Sequence, residues 1–196
     1  MTMIKGRWQL PVLLALFVVP TLAAMVLVFT DWRPAGFTNN GDLVQPAEQL
    51  SPGQWRSARG EPLQFAGDWL VVVPQTSACG DDCEQRLDTL SRARIALDRD
   101  IDRVQLLLLQ PADGPVDPAD IPEGIRVMEA DAGTVAELNV HEGTAMAAHI
   151  VDYRGYHVMR YVEPLDGAGL LDDLEKLLRL SKEEAERRAQ EEATAE

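Results

Sequence analysis

The chain has 196 residues, 46% of them apolar and 26% charged, with a formal net charge of −14 and a pI near 4.6. That length suits one domain plus additional segments, and the apolar fraction is enough to fill a core. The acidic balance argues against nucleic acid as a partner, because a nucleic-acid surface calls for a basic face.

In chain order, the first feature is an uncharged, strongly apolar stretch at residues 10–29. Its twenty residues match the thickness of a bilayer core and predict a transmembrane helix. Lys5 and Arg7 precede it, whereas Asp31 and Arg33 nearly cancel behind it. By the positive-inside rule, residues 1–9 are cytoplasmic and everything after the span lies outside. Trp8 and Trp32 bracket the span as interfacial anchors. The run is long for a signal peptide, and the residues just beyond it make a poor cleavage site, so an uncleaved anchor is expected. The predicted location is therefore a bacterial inner membrane, single pass, with the C-terminal domain in the periplasm, an oxidising compartment that permits disulfides.

Residues 30–60, rich in Pro, Gly, Asn and Gln, read as a linker, with residues 41–46 lying against the domain edge and Trp55 in a short edge strand. The domain itself is expected over 61–180. Residues 69–73 are an unbroken apolar run, the pattern of a strand buried on both faces. The only two cysteines, Cys79 and Cys83, follow directly, and a helical pattern runs from about residue 84 to 98. Residues 104–109 read as a second buried strand, 111–122 as a proline- and aspartate-rich loop, and 125–128 as a short strand. A helical turn or two is expected at 134–138, with Thr134 as N-cap. Residues 147–152 and 156–162 read as a hairpin around the turn 153–155, and 169–180 as an amphipathic helix. The charged, alanine-rich tail at 181–196 reads as a solvated helix extension or as disorder. Parallel strands joined by helices and closed by a hairpin and a helix predict an α/β thioredoxin-like sandwich behind one N-terminal transmembrane helix.

The cysteines carry the chemistry. A helix N-terminus favours thiolate through its partial positive charge and free N–H groups. Thiolate both attacks disulfides and binds soft metals. Cys-x3-Cys spacing puts both sulfurs on one helix face, where they meet each other or one metal ion. Three readings of Cys79 and Cys83 stay open: a redox pair with Cys79 attacking and Cys83 resolving, a Cu(I) site, and a disulfide that only staples the loop. Asp81 and Asp82 between them oppose thiolate formation, and at a helix start they also stabilise the helix.

The anchor, the strand–loop–Cys-x3-Cys–helix unit and the hairpin at 149–161 resemble the Sco/SenC proteins, membrane-anchored thioredoxin-fold copper chaperones of cytochrome c oxidase assembly. The likeness covers about residues 60–180. Segments 32–46 and 151–155 are similar to small anchored thioredoxin-like proteins of the same assembly group in proteobacteria. The resemblance implies a role in oxidase assembly, with oxidase subunits or assembly factors and the inner membrane as partners. It also implies Cu(I) as a candidate cofactor or cargo. The third, histidine ligand of Sco proteins would fall at Thr144; His141, three residues earlier, is the candidate in its place, with Cys79 and Cys83 as the other two. Met146, two residues after Thr144, is a second candidate for the third ligand beside its reading as a core residue, whereas His149 and His157 read as ordinary strand residues. The lack of a histidine at position 144 favours thiol–disulfide exchange over copper handling, and the chain is a candidate thiol-disulfide oxidoreductase.

Overall fold

A computed structural model describes residues 13–14, 16–20, 22, 25, 39–65 and 67–195. It divides into two compact units, Met1–Thr38 and Asn39–Glu196. Most of the expected span at 10–29, the cytoplasmic segment 1–9 and the anchors Trp8 and Trp32 lie outside the described residues. Those described within the span are helical, with Leu13, Leu14, Leu16, Phe17 and Val19 exposed. Among the described residues no helix is long and apolar enough to cross a membrane.

The second unit is built on a sheet of β1 (Asp42–Gln49), β2 (Trp69–Pro74), β3 (Val104–Pro111), β4 (Ile125–Ala130), β6 (Thr144–Val151) and β7 (Tyr156–Val162). A two-residue β5 (Val140–His141) pairs with β6. The strand order is β1-β7-β6-β2-β3-β4. β2, β3 and β4 run parallel, whereas β6, β7 and β1 pair antiparallel. The helices are α1 (Asp81–Ala96), α2 (Ala132–Asn139) and α3 (Gly167–Ala195).

The apolar run of β2 is explained by two cores, one on each face. Trp69, Val71 and Val73 pack with Leu87, Leu90, Leu170, Leu174 and Leu178, the inner sides of α1 and α3. Leu70 and Val72 point the other way, onto Val135 and Leu138 of α2 and onto Trp55 and Leu63. The strand's period of two thus sends alternate side chains to opposite layers, and both layers exclude water. β3 repeats the arrangement, with Leu106 and Leu108 on one side and Leu107 and Leu109 on the other.

The structure corrects several expected boundaries and local assignments. The expected linker 30–60 contains β1, so residues 41–46 do lie at the domain edge, but as a paired edge strand, and the compact unit begins at Asn39. β1 is legible only in context, because its side chains are mostly exposed and its stabilisation comes from backbone pairing with β7 and from a buried carboxylate. Asp173 on α3 accepts from the backbone N–H groups of Asn40 (2.9 Å) and Gly41 (2.9 Å) and from the Tyr161 hydroxyl (2.9 Å). Trp55 is buried without being a strand residue; its neighbour Arg56 bridges to Pro62 and Glu129. The first strand of the hairpin, β6, begins at Thr144, three residues before the expected start at 147, because β5 folds back on it. Asp131, not Thr134, caps α2: its carboxylate accepts from the Thr134 N–H at 3.1 Å and also from the Thr134 hydroxyl. The tail at 181–195 is helical and continues α3. Arg179–Glu183, Glu184–Arg188 and Arg187–Glu191 are ion pairs four residues apart that support the exposed turns.

Candidate functional site: the Cys79–Cys83 disulfide

β2 ends at Pro74, and the Gln75 N–H donates to the Leu109 carbonyl of β3 at 2.8 Å, so the chain leaves the sheet from a fixed point. Residues 76–80 turn over the sheet end, and α1 starts at Asp81 with Gly80 as N-cap. No side chain caps this helix, so its first N–H groups face the loop and the carboxylates of Asp81, Asp82 and Glu84. Cys79 lies just before the cap and Cys83 in the first turn. They form a disulfide with Cα atoms 5.2 Å apart. Cys83 is buried in the core at 4% exposure, whereas Cys79 is partly exposed.

The disulfide has a different surface on each side. Beside Cys79 lies a depression walled by Leu87, Val116, Ile121 and Pro122 and rimmed by Glu84, Asp117 and Asp120. Beside Cys83 lies a polar one lined by Gln75, Ser77, Asp81, Asp82, Arg86 and Asn139. The Cys79 side of the disulfide therefore faces an apolar floor with an acidic rim.

Sequence reasoning missed the support of this loop. Gln75 is buried, and its Nε2 donates to the Ser77 carbonyl (3.0 Å), the Ser77 hydroxyl (3.2 Å) and the Ala78 carbonyl (3.4 Å). Its Oε1 accepts from Arg86 Nη2 at 2.8 Å. Arg86 also pairs through Nη1 with Glu163, just past β7. The sequence shows a glutamine directly behind a buried strand and an arginine three residues after Cys83 on the same helix face, but nothing local pairs them.

His141 is not brought to the sulfurs. It stands half-exposed on β5 and lines a separate depression with Glu48, Glu137, His149, His157 and Arg160. Thr144 is exposed, and Met146 is buried in the sheet. Among the described residues no group of three His, Cys, Asp or Glu is placed to hold a metal ion. The two sulfurs are bonded to each other and present no thiolate. The donor set Cys79, Cys83 and His141 therefore does not fit a three-ligand Cu(I) site in this conformation.

The other feature the sequence hid is a histidine pair. His149 Nδ1 and His157 Nε2 lie 2.9 Å apart, and His149 Nε2 is 2.8 Å from the Leu138 carbonyl. A carbonyl only accepts, so His149 carries its proton on Nε2, and in the neutral pair His157 Nε2–H donates to His149 Nδ1. Burial holds His149 down to about 3, helped by the neighbouring His157 and opposed by the Leu138 carbonyl. Burial likewise holds His157 down to about 4, with Glu48 pulling the other way. Both rings are neutral at physiological pH and hold β6 against β7 and α2.

This fold has relatives. Residues 69–181 match the family described as transmembrane-like, thioredoxin-like, C-terminal domain. The chain belongs to that family. Among solved structures, yeast Sco1 aligns at a TM-score of 0.53 with 17% identity, over 69% of this chain and 97% of its own. Apo Sco1 from Thermus thermophilus aligns at 0.50 with 18% identity, over 73% and 99%. BsSco, described as a member of the Sco family of cytochrome c oxidase assembly proteins, aligns at 0.49 with 10% identity, over 70% and 95%. By sequence, the chain matches no curated protein. The family domain starts at the first residue of β2 and ends within α3, so it holds the disulfide loop and the hairpin; the fold is a Sco-like thioredoxin fold.

Proposed function

We propose that this chain is a membrane-anchored periplasmic protein that carries out thiol–disulfide exchange at Cys79 and Cys83 during cytochrome c oxidase assembly. One observation carries the chemistry: a disulfide whose first sulfur is partly exposed and whose second is buried, both at an uncapped helix start. In the reduced chain, the Cys79 thiolate attacks a partner disulfide and forms a mixed disulfide as one partner thiolate leaves. Cys83 then attacks Cys79 Sγ, the second partner sulfur leaves, and the Cys79–Cys83 bond returns. Two electrons pass to the partner, whose sulfurs take up the protons given up by the two cysteines. The reverse sequence oxidises a partner dithiol. The helix N-terminus stabilises the Cys79 thiolate that starts the forward exchange.

The oxidase context rests on the sequence resemblance to Sco/SenC proteins and on the shared fold, and the membrane anchor and location rest on residues 1–33. Trapping tests the reading. With Cys83→Ser, the mixed disulfide has no resolving thiol, so a covalent adduct with a partner protein accumulates in cells; with Cys79→Ser it does not. Oxidase activity falls in both. Undiminished oxidase activity in the Cys79→Ser/Cys83→Ser double variant would instead mark the disulfide as a structural staple. Tight binding of one Cu(I) by the reduced full chain, abolished by His141→Ala, would replace exchange with copper delivery.

A further inference from the structure

Resting on the exchange reading, we propose that Gln75 and Arg86 are positioning residues that set the reduction potential of the Cys79–Cys83 disulfide. They hold the Cys79 segment against α1 whether or not the S–S bond is present.

The contacts form a chain of restraints that bypasses sulfur. Gln75 is fixed to the sheet by its backbone bond to Leu109. Its amide grips the two residues before Cys79, bonding to both Ser77 and the Ala78 carbonyl. Arg86 can only donate, so the glutamine atom facing it is the oxygen, and this leaves both amide hydrogens for the loop. Arg86 belongs to the helix that carries Cys83, and its other arm is tied to Glu163 beyond β7. Loop, helix and sheet thus share one partly buried hydrogen-bonded unit, none of whose bonds runs through sulfur.

The consequence is thermodynamic. For protein disulfide + 2 glutathione ⇌ protein dithiol + glutathione disulfide, two electrons move from the glutathione thiols to the protein, and their protons end on Cys79 and Cys83. The equilibrium depends on how closely the two released thiols stay confined. A loop held in place keeps their mutual effective concentration high and favours the disulfide. A freed loop dilutes them and favours the dithiol.

Charge acts with the opposite sign. The Arg86 cation stabilises a thiolate beside it, so deleting that charge alone would shift the equilibrium towards the disulfide. Loss of the clamp shifts it towards the dithiol, so the direction of the change separates the two causes.

The test equilibrates the full-length chain, in detergent, with reduced and oxidised glutathione and counts thiols by alkylation. Gln75→Leu and Arg86→Met are each expected to shift the equilibrium constant about tenfold towards the dithiol, about 30 mV for this two-electron couple. Arg86→Lys keeps the charge but not the planar fork, and it shifts in the same direction. Thermal unfolding of both redox forms is measured alongside, because a purely structural loss lowers both alike and leaves the constant where it was. Gln75→Asn, too short to reach Ala78 and Arg86 together, stands in if Gln75→Leu does not fold. A Gln75 variant that folds and matches the wild-type constant overturns the clamp while the exchange reading survives. So does an Arg86→Met shift towards the disulfide. A wild-type disulfide that dithiothreitol does not reduce overturns the exchange reading and the clamp together.

Discussion

Cys79 and Cys83 are four residues apart yet live in different surroundings, one reachable from solvent and one sealed into the core. Under the proposed exchange that asymmetry makes Cys79 the attacking and Cys83 the resolving thiol, and it yields a prediction about single thiols. In the reduced chain, iodoacetamide should modify Cys79 at least tenfold faster than Cys83, read by peptide mass spectrometry after brief exposure; equal rates would remove the basis for the assignment. A second prediction concerns His149 and His157. Their folded-state values of about 3 and about 4 lie below the ordinary 6.5. The unfolded chain therefore binds more protons than the folded one between those limits, and stability rises with pH there. Stability should be full above about pH 7 and fall as pH drops through 6.5, by on the order of 1 kcal/mol per pH unit for the pair. The groups facing the pair are Glu48 on β1, Glu137 on α2, His141 on β5 and Arg160 on β7. Urea midpoints measured from pH 7.5 to 5 should fall less steeply for His149→Gln/His157→Gln than for wild type. Parallel curves would mean the rings are not the source of the slope.

At the scale of elements, the edge of the sheet depends on one carboxylate. β1 has little apolar surface to bury, and its start is held by Asp173 reaching from α3 to Asn40 and Gly41. The same carboxylate accepts from Tyr161, whose ionisation is pushed upward by burial first and by this carboxylate second. The approach is close: a Cβ on Gly41 would stand 2.6 Å from the Tyr161 ring. Asp173→Ala leaves two backbone N–H groups and a hydroxyl without their acceptor, so a loss of about 3 kcal/mol is expected, since each bond to a charged acceptor contributes roughly 1.5–3 and water recovers part of it. Hydrogen exchange should show where the loss falls. Amides of β1 should open well before those of β2 and β3, and uniform loosening of the whole sheet would contradict a local staple.

At the scale of the whole molecule, the charge is strongly acidic. The net charge of −14 is matched locally by Asp81, Asp82, Glu84, Asp117 and Asp120 around the disulfide. Such a field concentrates cations and repels anions over about one Debye length, about 30 Å at 0.01 M salt and about 3 Å at 1 M. The reduced full chain should therefore react faster with cystamine, a cationic disulfide, than with anionic glutathione disulfide, by about tenfold at 0.01 M salt. Stopped-flow rates should converge as salt is raised to 1 M. A salt-independent ratio would show that the acidic rim does not steer encounter.

The sequence by itself determined the thioredoxin-like order of elements from residue 69 onward, apart from β5, because both inner strands are continuous apolar runs, the pattern of strands covered on both faces. It also determined the place of the cysteines at a helix start, since a strand, a short loop and a helical period fix that geometry locally. Only the tertiary structure decided the rest. β1 was hidden in an expected linker because its hold comes from Asp173, more than a hundred positions away. His141 sits away from the sulfurs because β5 folds back onto β6 and carries it to the histidine depression. The Gln75–Arg86 unit and the His149–His157 pair are likewise contacts between residues 11 and 8 positions apart. Local periodicity cannot register such pairs, because what brings them together is the packing of strands and helices whose relative placement is set by burial across the whole sheet.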